Sequence, residues 1–137
     1  MRRVAELRVR YGDTDAMGVV YYANYLRYFE AARVEYLRLV GQDYRALETS
    51  GFVVAVTEAN CSYLAPACFD DLIALGCRVS ELRRASLTFE YELRREPGLV
   101  LLATGSTRHA CLQKPHLRPT RYPEAMRQSI AAFEGLA

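Results

Sequence analysis

The chain has 137 residues, 51% of them apolar and 25% charged, and a net charge of +2. That balance fits one globular domain, residues 1–137, with a hydrophobic core of its own. It excludes a helix that spans a bilayer, since no apolar run approaches ~20 residues, and the charge is too small to argue for nucleic acid.

Met1-Arg2-Arg3-Val4-Ala5-Glu6 returns to charge too soon for a secretory signal, so a cytoplasmic protein without membrane insertion is expected. Cys61, Cys68, Cys77 and Cys111 show no Cys-x-x-Cys spacing. They read as reduced core thiols, and neither as a disulfide frame nor as a zinc site. Lys114 is the sole lysine. Most of the arginines read as solvated surface, although their forked donors suit phosphate.

Residues Ala5 to Tyr11 alternate as a half-buried strand, with Ala5, Leu7, Val9 and Tyr11 on one face. A loop with two glycines and two carboxylates, Tyr11 to Ala23, precedes the one long helix, Tyr25 to Val40. Tyr25, Phe29, Ala32, Tyr36 and Val40 form its apolar stripe, with Asn24 as N-cap and Gly41 just past its C-terminus. Gln42 to Ser50 reads as a loop or short helical turn. Phe52 to Leu64 reads as a second strand, opening with a stretch buried on both faces and stopped by Pro66.

Strands follow at Leu72–Leu82, Ser86–Arg94 and Leu99–Leu112, the last two joined by the turn Glu96-Pro97-Gly98. Gly105 within the last marks either a bulge or a close backbone approach. A short helix from Pro123 to just before Gly135 carries Met126, Ile130 and Phe133 on one face. Successive strands with short connections and a segregated helix give an α+β class. The expectation is an antiparallel five-stranded sheet wrapped around one long central helix, with a short C-terminal helix. The outer face of that sheet, of small and polar residues, is expected to meet a second subunit.

The stretch Tyr11-Gly12-Asp13-Thr14-Asp15-Ala16-Met17-Gly18-Val19-Val20-Tyr21-Tyr22-Ala23-Asn24-Tyr25 carries the chemistry. Unpaired N–H groups and partial positive charge at a helix N-terminus suit a developing oxyanion. With this element order, the motif resembles the hot-dog-fold acyl-CoA thioesterases of the 4-hydroxybenzoyl-CoA thioesterase type. The nearest likeness is the bacterial branch associated with the Tol-Pal system. Tyr63, Pro66, Asp70-Asp71 and Ala85-Ser86-Leu87-Thr88-Phe89 support the likeness, which runs from Leu7 to about Phe133.

The resemblance implies that Asp15 is the catalytic carboxylate and that the Tyr22 backbone N–H polarises the thioester carbonyl. It also implies active sites at the interface of a homodimer, tetramers built from two such dimers, and no cofactor. Many members of the Tol-Pal branch carry histidine where this chain has Tyr22. An imidazole role is therefore absent here, while a backbone role is untouched.

On chemistry alone, Asp15 either attacks the thioester or activates water. Asp13 reads as a loop organiser. Gly18 permits a backbone conformation or a close approach of substrate. Tyr21, Tyr22, Tyr25 and Tyr28 line an acyl pocket or belong to the core. Arg83 and Arg84, in a turn, are candidates for the phosphates of coenzyme A, as are Arg108, Lys114 and Arg118. His109 reads as structural, and with only His116 besides it no metal site is expected. The competing readings are a non-catalytic acyl-CoA-binding module and an acyl-CoA hydratase on the same fold.

Overall fold

The structure, a computed structural model, describes residues 1–136. In chain order the elements are β1 (Arg3–Arg8), a 3-10 turn (Tyr11–Asp13), α1 (Asn24–Leu39), α2 (Tyr44–Thr49) and β2 (Phe52–Tyr63). Then come β3 (Leu72–Leu82), β4 (Ser86–Glu96), β5 (Val100–Gln113), β6 (Arg118–Pro119) and α3 (Glu124–Glu134). The sheet is antiparallel throughout, in the order β1-β3-β4-β5-β2. The two-residue β6 adds a sixth strand to the expected five by pairing with Leu112 and Gln113 at the end of β5.

The α1 helix lies across the concave face of this sheet. Its residues Tyr25, Phe29, Ala32 and Tyr36 are buried as the helical period requires, joined by Tyr28 and Leu37. Strand β4 supplies the opposing surface with unbroken alternation, burying Leu87, Phe89, Tyr91 and Leu93. The Phe29 ring stacks on Tyr91 with centroids 4.4 Å apart, and Tyr36 meets Phe89 edge-on at 5.6 Å. Register shifts fall between Val56 and Glu58, Val79 and Glu81, and Leu93 and Arg94. Such irregularities bend and twist long strands, which lets the sheet curl around the helix.

Gly105 is a close approach, not a bulge. A Cβ there would collide with the Phe29 ring and lie 2.5 Å from the Asn60 carbonyl oxygen. No register shift occurs at Gly105, which pairs with Cys61 on one side and Tyr91 on the other.

Four expectations need correction. The first strand ends at Arg8, and Tyr11, expected on its half-buried face, lies in the 3-10 turn and is exposed. Strand β2 is not buried on both faces: of Phe52 to Val56 only Val54 is fully buried, and Val56 to Asn60 are exposed. It is an edge strand with β5 as its single neighbour. The cysteines are not all core thiols, since Cys77 and Cys111 are buried but Cys61 is half-buried and Cys68 exposed. Asn24 is the first residue of α1 and Ala23 holds the cap position, with no side chain accepting from the helix.

Candidate active site

The site is built from the segment between β1 and α1, and Asp13 organises it. Its carboxylate Oδ2 accepts from the Arg10 amide at 3.1 Å and the Tyr28 hydroxyl at 2.8 Å. Its backbone oxygen accepts from the Tyr21 amide and from Asn24 Nδ2, each at 2.9 Å. Burial and this carboxylate both raise the Tyr28 phenol far above its ordinary value, so Tyr28 stays a donor. Tyr28 therefore belongs to the core and the loop frame.

Asp15 opens a tight hairpin. Its amide donates to Val19 O at 2.9 Å, and its carbonyl accepts from the Gly18 amide at 3.0 Å. Gly18 sits at φ 80°, and a Cβ there would meet nothing within 4 Å, so it is the backbone conformation that calls for glycine. The Asp15 carboxylate accepts from the Met17 amide through Oδ1 at 2.8 Å. Oδ2 takes no donor among the described residues. Bonds from Val20 N to Ala67 O and a bridge between Val19 and Cys68 dock this hairpin on the loop between β2 and β3.

The start of α1 is open on its donor side. The Tyr22 and Ala23 amides find no acceptor among the described residues, while the Asn24 amide donates to Tyr21 O at 2.9 Å. Tyr63, at the end of β2, donates its hydroxyl to Tyr22 O at 2.9 Å. Its ring also meets Tyr25 edge-on at 4.9 Å and Tyr22 at 6.4 Å. Desolvation, with the Cys61 thiol adding to it, pushes the Tyr63 phenol up to about 12.

Between these parts runs a groove of about 560 Å³. Tyr21, Tyr22 and Met17 form one side, Tyr63, Leu64 and Pro66 the other, and among the described residues Asp15 is the single charged one in its lining. Tyr25 is 3% exposed and forms part of the floor, whereas Tyr21 and Tyr22 are 46% and 62% exposed. The adjacent Tyr22 phenol and the Asp15 carboxylate raise the Tyr21 phenol above its ordinary value.

Asp15, Gly18, Tyr21, Tyr22 and Tyr25 are thus brought together, but Arg83 and Arg84 are not. They lie in the turn after β3, whose first residue Leu72 is at the Asp15 end. A strand of 11 residues separates the two ends by roughly 35 Å. Arg83 pairs with Glu81, and Arg84 makes no ion pair among the described residues.

Tyr63 and the wall Leu64–Pro66 were missing from the site read from the sequence. An aromatic residue at a strand end carries no local sign of which helix it will face. His109 is fully buried beneath the helix and bonded through Nε2 to Thr107 Oγ1 at 2.8 Å. Burial and the nearby Arg33 hold it down to about 4, which keeps it neutral and away from the groove's chemistry. No cluster of three potential metal ligands occurs among the described residues.

Residues 9–130 match the family profile of the thioesterase-like superfamily. The chain belongs to that superfamily. As a thioesterase-like protein of the hot-dog fold, it is a thioester hydrolase. It is similar to the acyl-CoA thioesterase YbgC of Haemophilus influenzae, 36% identical over 95% of this chain and 93% of the relative. It is also similar to the 1,4-dihydroxy-2-naphthoyl-CoA hydrolase of Thermosynechococcus vestitus, 34% identical over 86% of this chain and 81% of the other. Among solved structures, the DHNA-CoA thioesterase of Staphylococcus aureus superposes with a TM-score of 0.91 at 28% identity, covering 96% and 89% of the two chains.

Proposed function

We propose that this thioesterase hydrolyses an acyl-CoA to free acid and coenzyme A, with Asp15 as the reacting carboxylate. One observation carries the reading. Asp15, whose carboxylate keeps a free oxygen, and Tyr22, whose N–H is free at the helix start, line the same apolar groove. The thioester carbonyl lies against the start of α1, and the Tyr22 N–H takes the charge that develops on its oxygen. One such donor contributes on the order of 100- to 1,000-fold in kcat. Asp15 then acts in one of two ways. It attacks the carbonyl carbon, expels the CoA thiolate and leaves a mixed anhydride for water to cleave. Alternatively, it removes a proton from the water that attacks directly. Gly18 holds the hairpin that presents Asp15.

Tyr21, Tyr25 and the far wall form the acyl site. With no cation in its lining, the groove suits a neutral acyl group and disfavours one that ends in a carboxylate.

The assembly in this reading is a homodimer, with a tetramer formed over the outer sheet face. Strand β2 offers an unpaired backbone edge beside the groove, and a two-fold axis can pair it with its own copy. In an antiparallel β2–β2 pair, the Phe52 end of one strand lies beside the Tyr63 end of the other. The Phe52 end is also the Arg83 end of the sheet. Arg83 and Arg84 of the partner subunit then approach the groove and can hold CoA phosphates. We place the enzyme in the cytoplasm, where its unpaired cysteines stay reduced.

The test is a panel of acyl-CoA substrates with a thiol reagent. Saturable release of free thiol, strongest for neutral acyl groups, is expected. Saturable binding without release would overturn hydrolysis and leave a binding module; hydration of an enoyl-CoA without thiol release would point to a hydratase.

A further inference from the structure

We propose that the Tyr63 hydroxyl is a positioning group, which aims the free Ala23 amide as a second oxyanion donor beside the Tyr22 N–H without consuming it. The inference rests on the thioesterase reading above.

The first N–H groups of a helix usually bond to a capping side chain, and that bond adds about 1 kcal/mol of stability. Here Ala23 has no capping side chain, and Asn24, the nearest candidate, points away to Asp13 O. The helix start is instead anchored on its acceptor side. Tyr63 donates to Tyr22 O at 2.9 Å, which also accepts from the Tyr25 amide at 3.3 Å, and the Asn24 amide donates to Tyr21 O.

A peptide group is planar, with C=O and N–H pointing in opposite directions. The carbonyl of Tyr22 shares its plane with the Ala23 N–H, and the carbonyl of Tyr21 shares its plane with the Tyr22 N–H. The Asn24 bond therefore sets the direction of the Tyr22 N–H, and the Tyr63 bond sets that of the Ala23 N–H, the second free donor. The Asn24 and Tyr25 bonds are local to the turn, whereas Tyr63 reaches it from the end of β2, 41 residues away in sequence. Its ring is wedged against both Tyr22 and Tyr25, which limits the swing of the hydroxyl. An oxyanion site depends on donors that need no reorganisation when charge develops.

The test is Tyr63→Phe, which keeps the ring contacts and removes the bond to Tyr22 O. Expected is a fall in kcat of about tenfold, with KM within about twofold of wild type and the thermal midpoint unchanged; a tenfold fall corresponds to about 1.4 kcal/mol. A second readout is the carbonyl stretch of a bound benzoyl-CoA, compared in the slow Asp15→Asn background with and without Tyr63→Phe. The stretch should move back towards its free value in the double variant. A wild-type kcat in Tyr63→Phe, a change confined to KM, or an unmoved carbonyl stretch would each overturn the positioning role. Failure of the thioesterase reading itself would show separately, as no thiol release by the wild-type protein with any acyl-CoA.

Discussion

Asp13 and Asp15 are two residues apart and of the same type, yet they do different work. Asp13 spends its carboxylate on the Arg10 amide and the Tyr28 hydroxyl, whereas Asp15 keeps Oδ2 free beside the groove. Asp15→Asn should therefore keep the fold, because Oδ1 can still accept from the Met17 amide. It should lower kcat by at least ~100-fold, the scale of a lost base or nucleophile. Tyr22→Phe should change kcat by less than about threefold, since the proposed donor is a backbone N–H. Steady-state kinetics on folded variants checks both, and a Tyr22→Phe loss as deep as that of Asp15→Asn would implicate the phenol. His109 bears on stability. It is neutral in the fold with its value held down to about 4, against an ordinary value of 6.5. The unfolded chain takes up that proton first, so the stability is complete above pH 6.5 and is lost as pH falls towards 4. The loss is on the order of 3 kcal/mol. Urea midpoints measured from pH 7 to 4 should fall less steeply in His109→Gln than in wild type.

The helix α1 reaches its place because one strand residue gives way to it. Gly105 leaves room for the Phe29 ring, and Phe29 in turn stacks on Tyr91. Gly105→Ala would force the helix outward or distort β5 against the Asn60 carbonyl. A cost of about 1–3 kcal/mol is expected for such overpacking. A thermal melt should show a midpoint several degrees lower, and an unchanged midpoint would mean that the helix has slack at this point. The helix and the long strands were legible because their periods, 3.6 and 2, repeat over 11 residues or more. Strand β6, only two residues long, has no room for a period and was not legible. Strand β2 misled because an apolar run reports hydrophobicity and not the number of neighbours, and its one neighbour leaves much of it exposed.

Across the molecule, the open edge of β2 and the exposed aromatic residues Tyr21, Tyr22 and Tyr63 lie on the side that carries the groove. Light scattering should therefore report a dimer or a tetramer, and an active monomer would overturn the assembly. The arrangement of the arginines can be tested by mixing. Arg83→Ala/Arg84→Ala should raise KM for acyl-CoA by about tenfold, or about 1.4 kcal/mol. Co-refolded with Asp15→Asn protein, it should regain a population of sites with wild-type KM. In a mixed dimer, the intact Asp15 of one chain faces the intact arginines of the other. No recovery would mean that the arginines act within their own subunit or not at all.

The order of elements, the apolar stripe of α1 and the Asp15 loop with Gly18 were legible along the chain, because each rests on neighbours within about ten residues. The resemblance carried by that loop extended the reading to the hot-dog fold, and the family match agrees with it. Contacts across the fold were another matter. Tyr63 meets Tyr22 across 41 residues, and Arg83 and Arg84 lie at the far end of β3 from Asp15. Both facts come from strand register and from the path of the chain around the helix, to which the residues near each position in sequence give no clue.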